Sequence, residues 1–316
     1  MVIQFYCTRQ EKKSDIFPMK STIKILVTFA FILCISVTSA QDTRLLRQPS
    51  IQGNLITFSY GSDIWTTNLT TNLTTRLTST QAVESNPHLS PDGKWVAFTS
   101  NRSGSSAVYV VSTKGGEAKR LTWHTSGNIA RGWTTDGEHV LFASSRDAAP
   151  SRFNRLYTVS IKGGPATKLF EQWANAGSYN SNGTKIVIDR MSRWDVEWRD
   201  YRGGQNTPLI IVDLKTLQET LIPNNKTTDI NPIWIGDKIY FLSDRTHTSN
   251  IWSYNTRTKA VKQITKFKGT DVKSLGGDKN NLIFEQNDFL EFLKQKNTQK
   301  NEPEKQADQL TLLKAL

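Results

Sequence analysis

Short runs of β-branched and aromatic residues recur along the chain, separated by polar turns. They end at six apolar anchor positions, which are Phe58, Phe98, Phe142, Ile188, Phe241 and Phe284. The steps between anchors are 40, 44, 46, 53 and 43 residues, and a repeat of about 40 to 50 residues is typical of a unit of four β-strands. Residues 41–285 contain no run with a helical period, so the pattern predicts a repetitive all-β chain.

A turn signal stands before each of these runs. The six dipeptides are Gly53-Asn54, Asp92-Gly93, Asp136-Gly137, Asn182-Gly183, Gly236-Asp237 and Gly277-Asp278. Glycine and asparagine readily adopt the positive φ angles that two-residue hairpins require. We therefore expect a tight hairpin between the first two strands, a and b, of every unit.

A second hairpin recurs with an even more constant spacing. Four apolar pairs are each followed, twelve residues after the second member, by Leu or Ile. The pairs are Ile64-Trp65, Val108-Tyr109, Leu156-Tyr157 and Ile251-Trp252, and the later residues are Leu77, Leu121, Leu169 and Ile264. Identical spacings indicate one hairpin, between strands c and d, repeated in one register.

Six units of four strands predict a six-bladed β-propeller over residues 41–292. Two separate β-sandwiches would not require one register in every unit. The apolar pattern of the sixth unit ends after residue 292, because residues 293–316 form a largely polar tail. Either the last blade is incomplete, or its strand d resumes late at Asp308–Thr311, which echoes Lys262–Thr265.

The first forty residues have the layout of a secretory signal peptide. Basic residues at 20–24 precede the apolar run Ile25–Val37, and Thr38-Ser39-Ala40 ends in a small residue. We expect cleavage after Ala40, with Met19 as an alternative start, and export to the periplasm or the medium. A retained membrane helix is the alternative, but the apolar run is shorter than the roughly 20 residues that a span needs.

Charge and cysteine content exclude some function classes. The net charge of +12 is compatible with a nucleic-acid or anionic partner, but the basic residues are spread along the chain, and we expect no nucleic-acid partner. Both cysteines, Cys7 and Cys34, precede the expected cleavage point. Residues 41–316 therefore have no disulfide, cysteine nucleophile or cysteine-ligated metal.

Several motifs resemble a known family. Ser90-Pro91-Asp92-Gly93-Lys94 resembles the repeat of TolB-like propellers, and Gly61–Trp65, Arg120–His124 and Trp198–Gly204 extend the likeness. Together they resemble the N-terminal six-bladed propeller of the tricorn protease family, over about residues 44–286. The resemblance implies a serine peptidase that trims oligopeptides, in which a second propeller, a PDZ domain and a catalytic domain follow. This sequence has no counterpart of the family's catalytic positions.

The residues themselves give no sign of catalysis. None of the four histidines, His88, His124, His139 and His247, has a metal-ligand spacing, and no nucleophile elbow or phosphate-binding loop occurs. We expect His88 and His139 to lie in strands, partly buried and with their hydrogen bonds satisfied. A hydrolase site at the central channel would need acidic or histidine residues clustered on the inner strands, and none is evident. We therefore expect no catalytic residue, no metal and no cofactor.

The connection between strands b and c is the informative variable. The strand-b anchor and its partner on strand c are 7, 11, 15, 22 and 11 residues apart in the first five units. The connection of the fourth unit is therefore extended, at Arg190–Gly204. Loops from b to c and from d to a share one face of a propeller, where repeat proteins usually bind. The candidate binding residues on that face are Arg190, Arg193, Trp194, Trp198, Arg199, Tyr201, Arg202, Trp123, His124 and Trp173.

Arginine presents a planar fork suited to carboxylates, and aromatic rings can stack on a ligand. In the alternative interpretation, these aromatics pack on a neighbouring blade and the arginines pair with Asp195, Glu197 and Asp200. The expected function is a non-catalytic propeller that gates or binds peptides, or docks a peptidase catalytic module. The alternative is a stand-alone TolB-like periplasmic propeller that binds envelope proteins.

Overall fold

The computed structural model describes residues 45–148, 153–190, 202–203, 206, 208–287, 289–294 and 310–312. The chain divides into two compact units, residues 1–42 and 43–316, and the fold described below belongs to the second. All of its described regular elements are strands, arranged as six antiparallel four-stranded sheets in sequence order. The predicted six-bladed β-propeller is confirmed. Within the described residues, no helix is long and apolar enough to cross a membrane.

The first three blades are formed as follows. Blade 1 contains β1 (Arg47–Gln52), β2 (Leu55–Tyr60), β3 (Asp63–Asn68) and β4 (Leu73–Arg76). Blade 2 contains β5 (Glu84–Leu89), β6 (Trp95–Ser100), β7 (Ala107–Ser112) and β8 (Lys119–Arg120). Blade 3 contains β9 (Asn128–Trp133), β10 (His139–Ser144), β11 (Arg155–Ser160) and β12 (Thr167–Lys168).

The last three blades repeat the plan. Blade 4 contains β13 (Ala176–Tyr179), β14 (Lys185–Asp189), β15 (Ile210–Asp213) and β16 (Glu219–Leu221). Blade 5 contains β17 (Asp229–Ile235), β18 (Lys238–Thr246), β19 (Thr248–Asn255) and β20 (Val261–Gln263). Blade 6 contains β21 (Val272–Gly277), β22 (Asn281–Gln286), β23 (Phe289–Lys294) and β24 (Leu310–Leu312).

The predicted strand register agrees with the structure. Each anchor on strand b lies directly opposite its expected partner on strand c in the first five blades. These pairs are Phe58 with Trp65, Phe98 with Tyr109, Phe142 with Tyr157, Ile188 with Ile210, and Phe241 with Trp252. All six anchors are fully buried, because strand b lies inside its blade and its apolar face meets the neighbouring blade.

A repeated hydrogen bond explains the constant spacing between strands c and d. The amide of Leu77 donates to the carbonyl of Ile64 at 2.8 Å, and the equivalent bond recurs in blades 2 to 5 at 2.8 to 2.9 Å. The threonine that follows acts as a second bracket in three blades, because its hydroxyl accepts the strand-c amide. In blade 1, Thr78 Oγ1 accepts the Ile64 amide at 2.9 Å, and Thr122 and Thr265 do the same.

The expectation of six two-residue hairpins is wrong for several blades. Only the β1–β2 and β17–β18 turns have two residues between paired strands. In blade 2 the turn is longer, because Asp92 Oδ1 accepts the Ser90 hydroxyl at 2.6 Å and the Lys94 amide at 3.1 Å. In blade 6, Gly277 lacks a positive φ, and Asp278 Oδ1 accepts two turn amides at 2.8 Å.

Six hydrophobic cores lie between successive blades and close the ring. Blades 1 and 6 meet in one such core, which includes Phe58 and Ile283. Among the described strands none is exchanged across this interface, since every sheet consists of four consecutive strands. The contact is close: a methyl group at Gly276 would overlap the carbonyl oxygen of Pro49.

Blade 6 departs from the common register. Its strand β24 places Leu310 opposite Leu293 and Leu312 opposite Glu291. The residue opposite the anchor Phe284 is Glu291, where blades 1, 2, 3 and 5 have an aromatic residue. The sequence echo between Leu310-Thr311 and Ile264-Thr265 therefore does not correspond to structural equivalence.

Candidate functional site in the axial channel

The inner strands of all six blades surround a central cavity of about 1120 Å³. Strand a enters each blade from the face that carries the b-to-c and d-to-a connections. We call this the long-loop face. Its described residues are 45–46, 61–62, 77–83, 101–106, 121–127, 145–148, 153–154, 169–175, 190, 202–203, 206, 208–209, 222–228, 247, 264–271 and 287. The cavity lining includes Asn175, Gly269, Thr270 and Asp271 of the long-loop face, and it also includes residues of the a-to-b turns on the opposite face.

The inner strands are irregular at matching positions. Gln48, Asn86 and Asn231 all have positive φ angles of 52° to 55°, and each precedes a proline. The strand register shifts at these three positions. A β-bulge of this kind re-aims a side chain, and here the bulged residues are used for contacts between blades.

A belt of polar side chains runs around the channel at this level. We call it the polar belt, and its members are Gln48, Asn86, Arg131, Asn175, Asp189, Asn231 and Glu285. Glu285 Oε2 of blade 6 accepts the Gln48 amide of blade 1 at 3.2 Å. Gln48 Oε1 accepts the Asn86 amide of blade 2 at 2.7 Å. Arg131 of blade 3 donates to Asn86 Oδ1 at 3.5 Å, a long contact.

The belt continues through the other three blades. Arg131 Nη2 donates to Asn175 Oδ1 at 2.9 Å, just before blade 4. Asp189 Oδ2 accepts the Asn231 amide of blade 5 at 2.9 Å. Asn231 then exchanges two hydrogen bonds of 3.1 Å with the backbone of Leu275 in blade 6. Every neighbouring pair of blades is thus bridged at one level of the channel, with a Coulombic link between Arg131 and Asp189.

Two titratable side chains at the channel, Asp189 and His88, have pKa values far from their ordinary ones. Burial raises the pKa of Asp189 to about 6, although two amides and Arg131 oppose the shift. Burial and the Arg131 cation lower the pKa of His88 to about 4. His88 is therefore a neutral imidazole at neutral pH. The prediction that it lies within a strand agrees with β5, but it also lines the channel.

Two predicted binding residues are exposed aromatics on the long-loop face. Trp123 is 74% exposed, and the Arg120 guanidinium lies 4.4 Å from its ring centroid. Trp173 is 40% exposed and stacks on Phe153 with centroids 4.0 Å apart. His124, beside Trp123, accepts the Ser126 amide at Nδ1, at 3.1 Å. Aromatic side chains held in one orientation lose little entropy when they bind a partner.

The described arginines of the blade 4 extension pair with acids outside the segment. Arg202 Nη1 lies 2.9 Å from Asp244 Oδ2 of blade 5, and Arg190 Nη2 lies 3.7 Å from Glu219 Oε2. Asp195, Glu197 and Asp200, the acids that the sequence suggested as partners, lie outside the described residues. The other candidates of this segment, Arg193, Trp194, Trp198, Arg199 and Tyr201, lie outside the described residues.

A repeated arginine motif was missed by the sequence analysis. Phe-x-Ser-x-Arg occurs at the end of strand b in blades 2, 3 and 5, where the arginines are Arg102, Arg146 and Arg245. Each guanidinium lies over both rings of the b–c aromatic pair, at 4.7 to 5.6 Å. Arg245 also pairs with the buried Asp229 at 2.7 Å. The sequence contained a signal for this motif, because each arginine follows its strand-b anchor at the same spacing.

The described residues contain no group of three or more His, Cys, Asp or Glu side chains that could hold a metal ion. The turn carboxylates bond locally: Asp136 accepts the Glu138 amide at 2.9 Å, and Asp237 pairs with Arg257 at 2.6 Å. The polar groups of the channel wall are amides, hydroxyls and charged side chains of both signs. Such groups suit recognition of a polar ligand.

The fold and channel define the molecule as a six-bladed β-propeller with an axial cavity lined by polar side chains. Comparison with known families places it more narrowly. The model of the tricorn protease N-terminal β-propeller domain matches residues 43–299. The chain belongs to this family, as the sequence motifs indicated.

Individual relatives agree with this assignment. The chain is 30% identical to tricorn protease homolog 1 of Streptomyces coelicolor over 251 residues, which cover 78% of this chain and 23% of that protein. It is 31% identical over 166 residues to a tricorn-like protease N-terminal subunit of Sulfurisphaera tokodaii, covering 52% and 84% respectively.

A solved structure gives the same result for the fold. The crystal structure of the tricorn protease superimposes with a TM-score of 0.72 at 23% identity, covering 79% of this chain and 25% of that one. The chain thus spans about a quarter of the full-length proteases that it matches.

Proposed function

We propose that this propeller is a non-catalytic peptide-binding module that works with a tricorn-type peptidase. Peptides approach the long-loop face and enter the axial channel. The observation that carries the proposal is the axial channel, whose lining reaches the long-loop face at Asn175 and Asp271. The same face carries the exposed Trp123 and Trp173. The polar lining of the channel offers donors and acceptors to a peptide backbone.

The comparison with relatives supports a peptidase partner. Full-length relatives carry the propeller as about a quarter of a protease. The relative from Sulfurisphaera tokodaii, by contrast, is described as an N-terminal subunit and is largely covered by the match. In our proposal the propeller therefore acts with a peptidase catalytic module, whether on its own chain or on another.

Export is part of the proposal. The compact propeller unit begins at Thr43, three residues after the expected cleavage point at Ala40. Fusing residues 1–40 to a periplasmic reporter tests this element separately. Reporter activity outside the cytoplasm is the expected result, and activity confined to the cytoplasm would contradict export without affecting the binding proposal.

Peptide binding is tested with the full chain and a short fluorescein-labelled peptide, measured by fluorescence anisotropy. We expect Trp123→Ser to weaken binding about tenfold, since a buried aromatic anchor contributes about 1 to 2 kcal/mol or more at an interface. Trp95→Ser is the matched control, because Trp95 is also partly exposed but begins β6 beside the turns of the opposite face. Equal loss in both variants, or no binding to the native chain, would contradict the proposal.

A further inference from the structure

The guanidinium of Arg131 lines the axial channel and lacks a full set of partners. Of its five N–H groups, two have acceptors among the described residues, the amide oxygens of Asn86 and Asn175. Its Nε atom is buried without a hydrogen-bond partner. Arg131 also makes no direct salt bridge within the described part of the chain. Buried cations are normally paired, because an unpaired charge in a low-dielectric site is costly.

The neighbouring acid does not fill this role. Asp189 acts on Arg131 only through a Coulombic interaction. Its carboxylate oxygens are occupied by the amides of Ala176 at 2.8 Å and Asn231 at 2.9 Å. Glu285 is likewise engaged, with the Gln48 amide at 3.2 Å and the Ser274 hydroxyl at 2.9 Å. Both acids hold the blades together, which leaves the positive charge of Arg131 directed at the cavity.

His88 adds a second group at the same place. It lines the channel with Arg131 and is near enough for that cation to lower its pKa. A neutral imidazole can donate one hydrogen bond, and a protonated one can donate two. The other charged groups of the channel wall are Arg47, Asp189, Asp271, Lys273, Asp278, Lys279 and Glu285. Arg47 and Lys273 are exposed, while the acids Asp189, Asp271 and Glu285 are buried.

We propose that the axial channel contains an anion site at Arg131, with His88 beside it, which takes a carboxylate or phosphate group. The guanidinium supplies charge-assisted hydrogen bonds from its unpaired N–H groups. The bound anion offsets the repulsion between Arg131 and a protonated His88, so it favours the imidazolium form. Binding is therefore accompanied by proton uptake at His88 when the pH lies somewhat above 4.

The anion site does not depend on the proposed binding of peptides. A free small anion would bind it by the same chemistry as the carboxyl end of a peptide, so the probes must distinguish the two. The probes are inorganic phosphate, succinate, and a short acetylated peptide with either a free or an amidated carboxyl end. Phosphate or succinate binding without peptide binding assigns the site to a free anion and counts against the peptide proposal alone. Binding of the free-acid peptide but not of its amide assigns it to a peptide carboxylate.

The readout is the NMR titration of the His88 imidazole in the full chain, combined with calorimetry. We expect at least one probe to raise the pKa of His88 measurably and to bind with proton uptake at pH 5 that disappears at pH 7.5. Arg131→Gln should weaken that probe about tenfold or more, because it removes the charge-assisted bonds. Arg131→Lys should retain part of the affinity. The control Arg257→Gln removes an exposed arginine that pairs with Asp237, and it should bind as the native chain does.

Two results would overturn the proposal. One is that none of the probes shifts the His88 resonance in the native chain, a measurement that does not depend on any variant folding. The other is a folded Arg131→Gln chain that binds the probes as tightly as the native chain. His88→Asn separates the two parts of the site, because it should keep most of the affinity and remove the proton uptake at His88, leaving only that of Asp189, which titrates near pH 6.

Discussion

The side-chain oxygen of Gln48 accepts the backbone amide of Asn86 at 2.7 Å, joining the innermost strands of blades 1 and 2. Both residues have positive φ angles and precede prolines. The strained backbone at each position is thus associated with a specific contact between blades. Similar bridges around the channel complete the polar belt, which holds a ring whose first and last blades share none of the described strands.

Gln48→Ala is expected to lower the free energy of unfolding by about 1 to 3 kcal/mol, because the Asn86 amide loses its acceptor in a partly buried site. Urea denaturation measures the change. Gln52→Ala is the matched control: the residue lies on the same strand at a similar burial, and we expect a change within about 0.5 kcal/mol. Equal effects of the two substitutions on the free energy of unfolding would contradict a role of the polar belt in stabilising the ring.

Gly276→Ala tests the interface between blades 1 and 6 directly. A methyl group at this position overlaps the Pro49 carbonyl of blade 1, which is backbone and cannot rotate away. We expect a loss of about 1 to 3 kcal/mol or more, as for overpacked cores. Gly127→Ala is the control, since a methyl group there meets nothing within 4 Å. Thermal unfolding of both variants measures the difference, and a neutral Gly276→Ala would contradict the close contact.

Arg245→Met leaves the buried carboxylate of Asp229 without its cation, which lies 2.7 Å away. Breaking a buried pair from one side costs about 3 to 5 kcal/mol. Burial already raises the pKa of Asp229, and the loss of Arg245 raises it further. The destabilisation should therefore be larger at pH 7 than at pH 5, where the carboxyl is more readily protonated. Arg257→Met, at an exposed pair, should change stability by at most about 0.5 kcal/mol at either pH.

The pH dependence of stability is expected to contain two opposing contributions from the channel. Asp189 has a pKa of about 6 in the folded chain and 3.8 as its ordinary value, so its contribution to stability falls as the pH rises through that range. His88 has a pKa of about 4 against an ordinary 6.5, so its contribution rises with pH over nearly the same range. Each slope is at most about 1.4 kcal/mol per pH unit.

Single substitutions should separate these contributions. His88→Asn should leave a stability that decreases between pH 4 and 6, and Asp189→Asn should leave one that increases. The slope is the readout, because either substitution also changes the absolute stability. Urea denaturation across this pH range measures it. Parallel slopes in the two variants would show that the groups do not titrate as their burial requires.

The blade repeat was predictable because it depends on local features of the chain. Cross-strand pairs such as Phe98 with Tyr109 follow from apolar spacing, and the bracket formed by Thr78 is part of a repeated dipeptide. The turn lengths were less predictable. The Ser90–Lys94 turn resembles a tight hairpin in composition, but the Asp92 carboxylate stabilises a longer loop.

The polar belt was not predicted, although a signal was present. Gln48-Pro49, Asn86-Pro87 and Asn231-Pro232 occur at corresponding places before strand b. A polar residue before proline is common in turns, so the sequence does not indicate that these side chains meet across blades. Arg131 was equally hidden, because its neighbours Asn175 and Asp189 become adjacent only when the ring closes.

The most direct test of the binding account is to locate a peptide on the propeller. A short peptide with a photoreactive phenylalanine analogue is irradiated with the full chain, and the crosslinked residues are mapped by mass spectrometry. We expect crosslinks on the long-loop face near Trp123 and on the inner strands that line the channel. Crosslinks confined to the outer strands or to the opposite face, or none above a scrambled-chain background, would contradict the account.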